Sequence, residues 1–113
     1  MNEGDLVICP VASASGSIKV RPALVLRALP TYDDYLVCGL SSQLWQEIPG
    51  FDEILLLTAT NNLRITSVIR LSFLAVVKSS DVRGKTGQIP DDLLIDLRQR
   101  LANHLIGVRS AQS

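Results

Sequence analysis

Ser15-Gly16-Ser17-Ile18-Lys19-Val20-Arg21-Pro22-Ala23-Leu24-Val25-Leu26 runs from a small-residue loop through an arginine into an apolar stretch. Gly16 permits backbone angles that other residues resist, and Ser15 and Ser17 can bond backbone or ligand. Ala23 to Leu26 suits a buried strand. Pro22 cannot donate to a sheet ladder, so it marks either the first residue of that strand or an edge. It also pushes Arg21 toward an extended backbone. The expectation is a strand from Pro22 to about Leu29, with a permanently charged fork of donors at its mouth. Such a fork suits a phosphate or carboxylate. The plainer alternative is an arginine that solvates a strand end.

Working outward, Leu6 to Cys9 reads as a first strand, with Pro10 ending it or placing it at an edge. Val11 to Ser17 reads as loop. Pro30 to Asp34 is a turn, and Tyr35 to Leu40 a third strand in which Gly39 signals a bulge or a close backbone approach. Ser41-Ser42-Gln43 follows directly. Leu44 to Glu53 is a loop carrying the only tryptophan, Trp45, and Ile54 to Thr58 a fourth strand. Asn61-Asn62 marks a tight turn. The β-branched stretch Leu63 to Val77 predicts one long strand, or two with a bend near Ser72. Lys78 to Gln88, with Gly84 and Gly87, reads as a turn region. Leu93, Leu97, Leu101 and Leu105 recur every fourth residue behind Pro90-Asp91-Asp92, which predicts a helix stopped by Gly107. The tail 108–113 is expected to fray. Short strands followed by one closing helix predict a small, mostly-β antiparallel barrel capped by a helix.

The 113 residues point to a single domain over 1–113, and at 47% hydrophobic they can build a core without a disulfide or metal staple. Eleven basic and eleven acidic side chains cancel, so no global field draws in nucleic acid. The distribution is uneven. Residues 1–53 balance at −4, and residues 54–90, with Arg64, Arg70, Lys78, Arg83 and Lys85 against Asp81, at +4. A local basic face is one reading, and ordinary solvation of strand ends the favoured one. Cys9 and Cys38 sit in apolar runs and read as buried free thiols. No secretory leader and no membrane-length apolar run is legible, which predicts a cytoplasmic protein without a membrane partner.

Gly4-Asp5-Leu6-Val7, Ser15-Gly16-Ser17, Arg21-Pro22-Ala23-Leu24-Val25, Ser41-Ser42-Gln43, Thr66-Ser67-Val68-Ile69-Arg70-Leu71 and Gly84-Lys85-Thr86-Gly87 occur in this order before the C-terminal helix. Together, over about residues 4–105, they resemble the MazF/PemK toxins of type II toxin–antitoxin systems. The resemblance implies an SH3-like or CcdB-like barrel that forms a homodimer and cleaves single-stranded RNA without metal or other cofactor. The 2′-hydroxyl would attack, leaving a cyclic phosphate, and a cognate antitoxin would lay a flexible segment over the RNA groove. It also implies catalytic roles for Arg21 and for Ser41, which stands where the family usually has threonine. Gly16, Ser17, Lys19, Ser42, Gln43 and Arg70 are the candidate substrate-binding residues around that pair. Some relatives use an Arg-x-Asp with a histidine. Here Arg70-Leu71-Ser72 lacks the carboxylate, and the only histidine, His104, reads as a surface or interface residue on the helix.

The chemistry can be stated without the family. RNA self-cleavage needs a base for the 2′-hydroxyl, charge stabilisation at the phosphorane and an acid for the leaving oxygen. Arg21 supplies two parallel donors, and Ser41 a hydroxyl. Backbone N–H groups around Gly16 and Ser17 could complete an anion nest. Arginine is not deprotonated in proteins, so Arg21 is assigned electrostatic work first. Trp45, Tyr32 and Tyr35 are candidate base-stacking surfaces; for Tyr35, within a strand, core packing is the favoured reading, and for Trp45 a binding or dimer role stands even with packing. The apolar loop around Leu44-Trp45 and Ile48-Pro49 is a candidate dimer surface. The competing readings are a barrel that binds antitoxin, RNA or DNA gyrase without turnover, and a purely structural barrel.

Overall fold

The computed structural model describes residues 1–30 and 33–107. Tyr32, part of the Pro30–Asp34 turn and the 108–113 tail lie outside the described residues. Strands β1 (Asp5–Ala12), β2 (Ile18–Ala28), β3 (Asp34–Ser41), β4 (Glu53–Leu55), β5 (Ser67–Lys78) and β6 (Gly84–Gln88) precede one helix, α1 (Asp91–Ile106). They form a curled antiparallel half-barrel in the order β4-β5-β3-β2-β1-β6.

Both prolines lie inside strands, which corrects the expected boundaries of β1 and β2. Pro10 pairs opposite Val20, beyond the stretch Asp5 to Ile8 where β6 covers the other side of β1. Pro22 pairs opposite Ile8, one residue before the β3 ladder begins at Ala23. Each missing N–H therefore falls where a strand has one neighbour instead of two. The β1–β2 hairpin is correspondingly longer, and its loop shrinks to Ser13–Ser17.

Two stretches read from sequence as strand are irregular. Leu56 to Thr58 and Leu63 to Thr66 continue β4 and precede β5, but the β4–β5 ladder spans only Glu53↔Ile69 to Leu55↔Ser67. The buried Asn61 organises this loop. Its side-chain oxygen accepts from the N–H groups of Thr58 and Leu63, and its amide donates to the Leu56 carbonyl at 2.7 Å. Conversely, β6 is a strand within the stretch read as turn. Gly87 permits this: a Cβ there would stand 2.4 Å from the carbonyl oxygens of Thr60 and Asn61.

The sheet is buried on both faces. Leu6, Leu24, Leu26, Cys38, Leu40, Ile69 and Leu71 pack under Leu94, Leu97 and Leu101 of α1. Val7, Cys9, Val11, Ala23, Val25, Val37 and Val77 line the other face, joined by Tyr35 and Phe73. The helix stripe is as expected except for Leu105, which is exposed. Pro90 stands before the first turn, and Gly107, at φ +86°, ends the helix by donating to the carbonyls of Asn103 and His104.

Candidate functional site

The valine-rich face carries the candidate site because of one irregularity in β5. Cys38 of β3 pairs with Leu74 and Leu40 with Ile69, so four residues, Arg70 to Phe73, bulge opposite the single Gly39. The bulge reverses the alternation of side chains. Ile69 and Leu71 face the helix, whereas Phe73, Ala75 and Val77 face the valine side. In a regular strand Arg70 and Phe73, three apart, would point to opposite faces. Here the arginine reaches the phenylalanine, in keeping with the use of bulges to re-aim side chains. The bend expected near Ser72 is this bulge.

Two contacts hold it. The Leu71 N–H, which has no ladder partner, donates to Oδ1 of the buried Asp52 at 2.9 Å, while the other carboxylate oxygen accepts from the Ile48 N–H at 3.0 Å. The Phe73 ring lies against Gly39, where a Cβ would stand 2.7 Å from a ring carbon. The close approach expected at Gly39 is thus to a specific ring.

Arg21 is in mid-strand, opposite Cys9, rather than at a strand mouth. Its guanidinium carbon lies 4.9 Å from the Phe73 ring centroid, and that of Arg70 lies 5.7 Å from the same centroid. Both Nε atoms are buried without a hydrogen-bond partner. Neither arginine has a carboxylate within ion-pair distance among the described residues. The bulge opens onto a cleft of about 310 Å³ lined by Ala12, Ser13, Ala14, Arg70, Ser72, Phe73 and Leu74.

Ser41 ends β3. Extending the β2–β3 register of Ala23↔Gly39 by two residues sets it opposite Arg21, so both belong to the same face. Its Oγ accepts the Gln43 N–H at 3.1 Å, which leaves the hydroxyl proton to donate elsewhere. Arg21, Arg70 and Ser41 are therefore brought to one face, and Lys19, two residues before Arg21 on β2, shares that face by the same alternation and is exposed. Ser42 and Gln43 are exposed beyond the strand end. Gly16 and Ser17 sit at the exposed hairpin tip. The Gly16 N–H donates to the Ser13 carbonyl at 2.9 Å, and the Ser17 carbonyl accepts from Ser13 N–H at 2.8 Å. The expected nest loses the Gly16 donor to the turn itself.

His104, on α1, packs against Phe51 with the rings tilted and their centroids 5.1 Å apart, on the helix side and away from Arg21 and Arg70. Tyr35 packs in the valine core as expected, and Trp45 is 79% exposed. The middle segment does not present its cations as one face, since Lys78 pairs with Asp34 and Lys85 with Asp5. Burial raises the Cys38 thiol far above the ordinary range, and raises Cys9 less, as expected of inert thiols. Among the described residues no group of three His, Cys, Asp or Glu side chains could hold a metal ion, and no helix is long and apolar enough to cross a membrane. Phe73 and Asp52 escaped the sequence reading. Gly39 was the one signal, and it named the approach without naming the ring.

The fold is a small curled half-barrel that carries Arg21 and Arg70 on its valine-rich face, with no carboxylate at ion-pair distance from either among the described residues. The chain matches the model of the PemK-like, MazF-like toxins of type II toxin–antitoxin systems over residues 2–105 and belongs to that family, whose members are known as endoribonucleases. A crystal structure of MazF from Deinococcus radiodurans is similar at 22% identity and TM-score 0.68, covering 96% of this chain and 97% of that one. A MazE–MazF structure from the same organism is similar at 21% identity and TM-score 0.62, covering 96% and 97%. A mycobacterial endoribonuclease in complex with its cognate antitoxin is similar at 9% identity and TM-score 0.67, covering 97% and 98%. No individually curated protein matches the sequence.

Proposed function

We propose that this chain is a metal-independent endoribonuclease toxin that cuts single-stranded RNA and is restrained by a cognate antitoxin in the cytoplasm. The observation that carries the reading is the placement of Arg21 and Arg70 on one ring, with no carboxylate at ion-pair distance among the described residues. Arg27, Arg98 and Arg100, by contrast, are tied to carboxylates. Here the donors remain for a phosphodiester. The 2′-hydroxyl gives its proton to water as its oxygen bonds to phosphorus, and the 5′-oxygen leaves and takes a proton from water, so that a cyclic phosphate and a 5′-hydroxyl result. Arg21 bears the phosphorane charge with parallel donors, and Ser41 donates its hydroxyl to a phosphoryl oxygen. Arg70 and Lys19 hold flanking phosphates, and Ser42, Gln43 and the Gly16–Ser17 tip contact the strand beside them. An acidic antitoxin segment would neutralise the same arginines. The exposed Leu44, Trp45 and Ile48 are the candidate surface for a homodimer.

Cleavage of a long single-stranded RNA in EDTA tests the reading. Fragments ending in cyclic phosphate support it, and intact RNA at micromolar protein overturns it. One observation favours a second reading, a barrel that binds without turnover: no histidine, aspartate or glutamate lines the cleft to accept the 2′-proton. Tight RNA binding with no cleavage would select that reading.

A further inference from the structure

Phe73 has no place in the chemistry above, yet both arginines rest on it. We propose that Phe73 is a positioning residue that does for Arg21 and Arg70 what carboxylates do for Arg98 and Arg100, while leaving their donors free for one shared phosphate-bearing ligand. The proposal rests on the reading of this face as a phosphodiester site.

An aromatic face attracts a guanidinium through its quadrupole and stacks against its plane. The N–H donors lie in that plane, so a stacked arginine keeps its outer Nη donors available. A carboxylate anchor would occupy the same donors and cancel the charge. Two guanidinium groups on one ring repel each other, and each buries an Nε without a partner, 4.9 Å and 5.7 Å being the distances from the ring centre to the guanidinium carbons. An anion bridging the outer Nη donors of the pair offsets the repulsion. The arrangement is built from several elements. Gly39 clears the space for the ring, the bulge turns Phe73 to the face of Arg70, and Asp52 ties the bulge by its Leu71 N–H.

The test compares Phe73→Met, which keeps volume and loses the ring, with Phe73→Tyr, which keeps the ring. Inorganic pyrophosphate and a non-cleavable 2′-O-methyl oligoribonucleotide serve as probes, and binding is followed through the Nε–H resonances of Arg21 and Arg70 alongside melting temperature. In the parent protein both resonances should follow one saturation curve, a measurement that depends on no variant. Phe73→Met should weaken both probes about tenfold at matched melting temperature, and Phe73→Tyr should stay within about twofold of the parent. Separate saturation curves for the two arginines, or equal binding by the Met and Tyr variants, would overturn the proposal. A parent protein that binds both probes in this way but cleaves no RNA fails the ribonuclease reading and supports the role of Phe73. A parent that cleaves RNA while the Met variant cleaves equally well fails Phe73 alone.

Discussion

The two faces of the sheet hold their arginines in opposite ways. On the helix side, Arg98 donates from Nε to the Leu26 carbonyl at 2.7 Å and from Nη2 to Glu3, which also binds Arg27 and the Ala28 N–H. Arg100 donates to the Phe51 and Asp52 carbonyls and to Glu53 and Asp96. Burial works against the Arg100 charge, but the bonds to Glu53 and Asp96 outweigh it and raise its pKa above the ordinary value. These arginines staple α1 to the strands and the β3–β4 loop. On the valine side, Arg21 and Arg70 staple nothing. They lie against the Phe73 ring, no ion pair holds them among the described residues, and their Nε atoms are unpartnered. On the proposed reading the first set of arginines serves the fold and the second serves a ligand.

Substitution at Arg21 should separate the two kinds most widely. Arg21→Ala should lower the rate of RNA cleavage by about a hundredfold or more, because a charge-assisted pair of donors to the phosphorane is lost. Its melting temperature should stay near that of the parent. A folded variant that cleaves at the parental rate would break the contrast.

Ser41 should sharpen it next. Ser41→Ala should slow cleavage by about tenfold or more with a small loss of stability, from the bond accepted from Gln43 N–H. Ser41→Thr should keep or raise activity, since it preserves the hydroxyl. Side-by-side cleavage rates and melting curves decide the matter, and a large melting shift in Ser41→Ala would place Ser41 among the structural residues.

The helix-side arginines should show the mirror image. Arg98→Ala should cost about 1–2 kcal/mol of stability, by loss of a charged bond to the Leu26 carbonyl and of the Glu3 pair, while the rate per folded molecule is unchanged. Urea titration with parallel cleavage assays measures both. A change in rate without a change in stability would break the assignment.

The smallest effect is on pH dependence. The Ala28 N–H holds the Glu3 carboxyl below its ordinary range against the opposing effect of burial, with Arg98 and Arg27 adding to the lowering. A carboxylate lowered in the folded state contributes stability that is full above its unfolded pKa and is lost as pH falls through the folded one. The parent should therefore lose this increment on acidification below the ordinary glutamate range, and Glu3→Gln should flatten that part of the stability profile. Superimposable acid profiles would count against it.

A 3.6-residue stripe of leucines needs only local repetition to be legible, so α1 and its ends could be read from Pro90, Asp91, Asp92 and Gly107 alone. The apolar runs around Val7, Leu24 and Val37 likewise specified buried strands, and the ordered motifs around Arg21 specified the family. Strand lengths escaped the sequence because a strand exists only as far as its neighbour runs. Leu56 and Leu57 look like strand but lie beyond the β4–β5 ladder, while Gly84 to Gln88 looks like turn but finds the free edge of β1. The arginine pair escaped it for the same reason at a finer scale. Arg70 and Phe73 share a face only because the chain bulges opposite Gly39, and Arg21 joins them only because β2, β3 and β5 lie side by side. Local sequence sets what each residue can do, and pairing between distant segments decides what it meets.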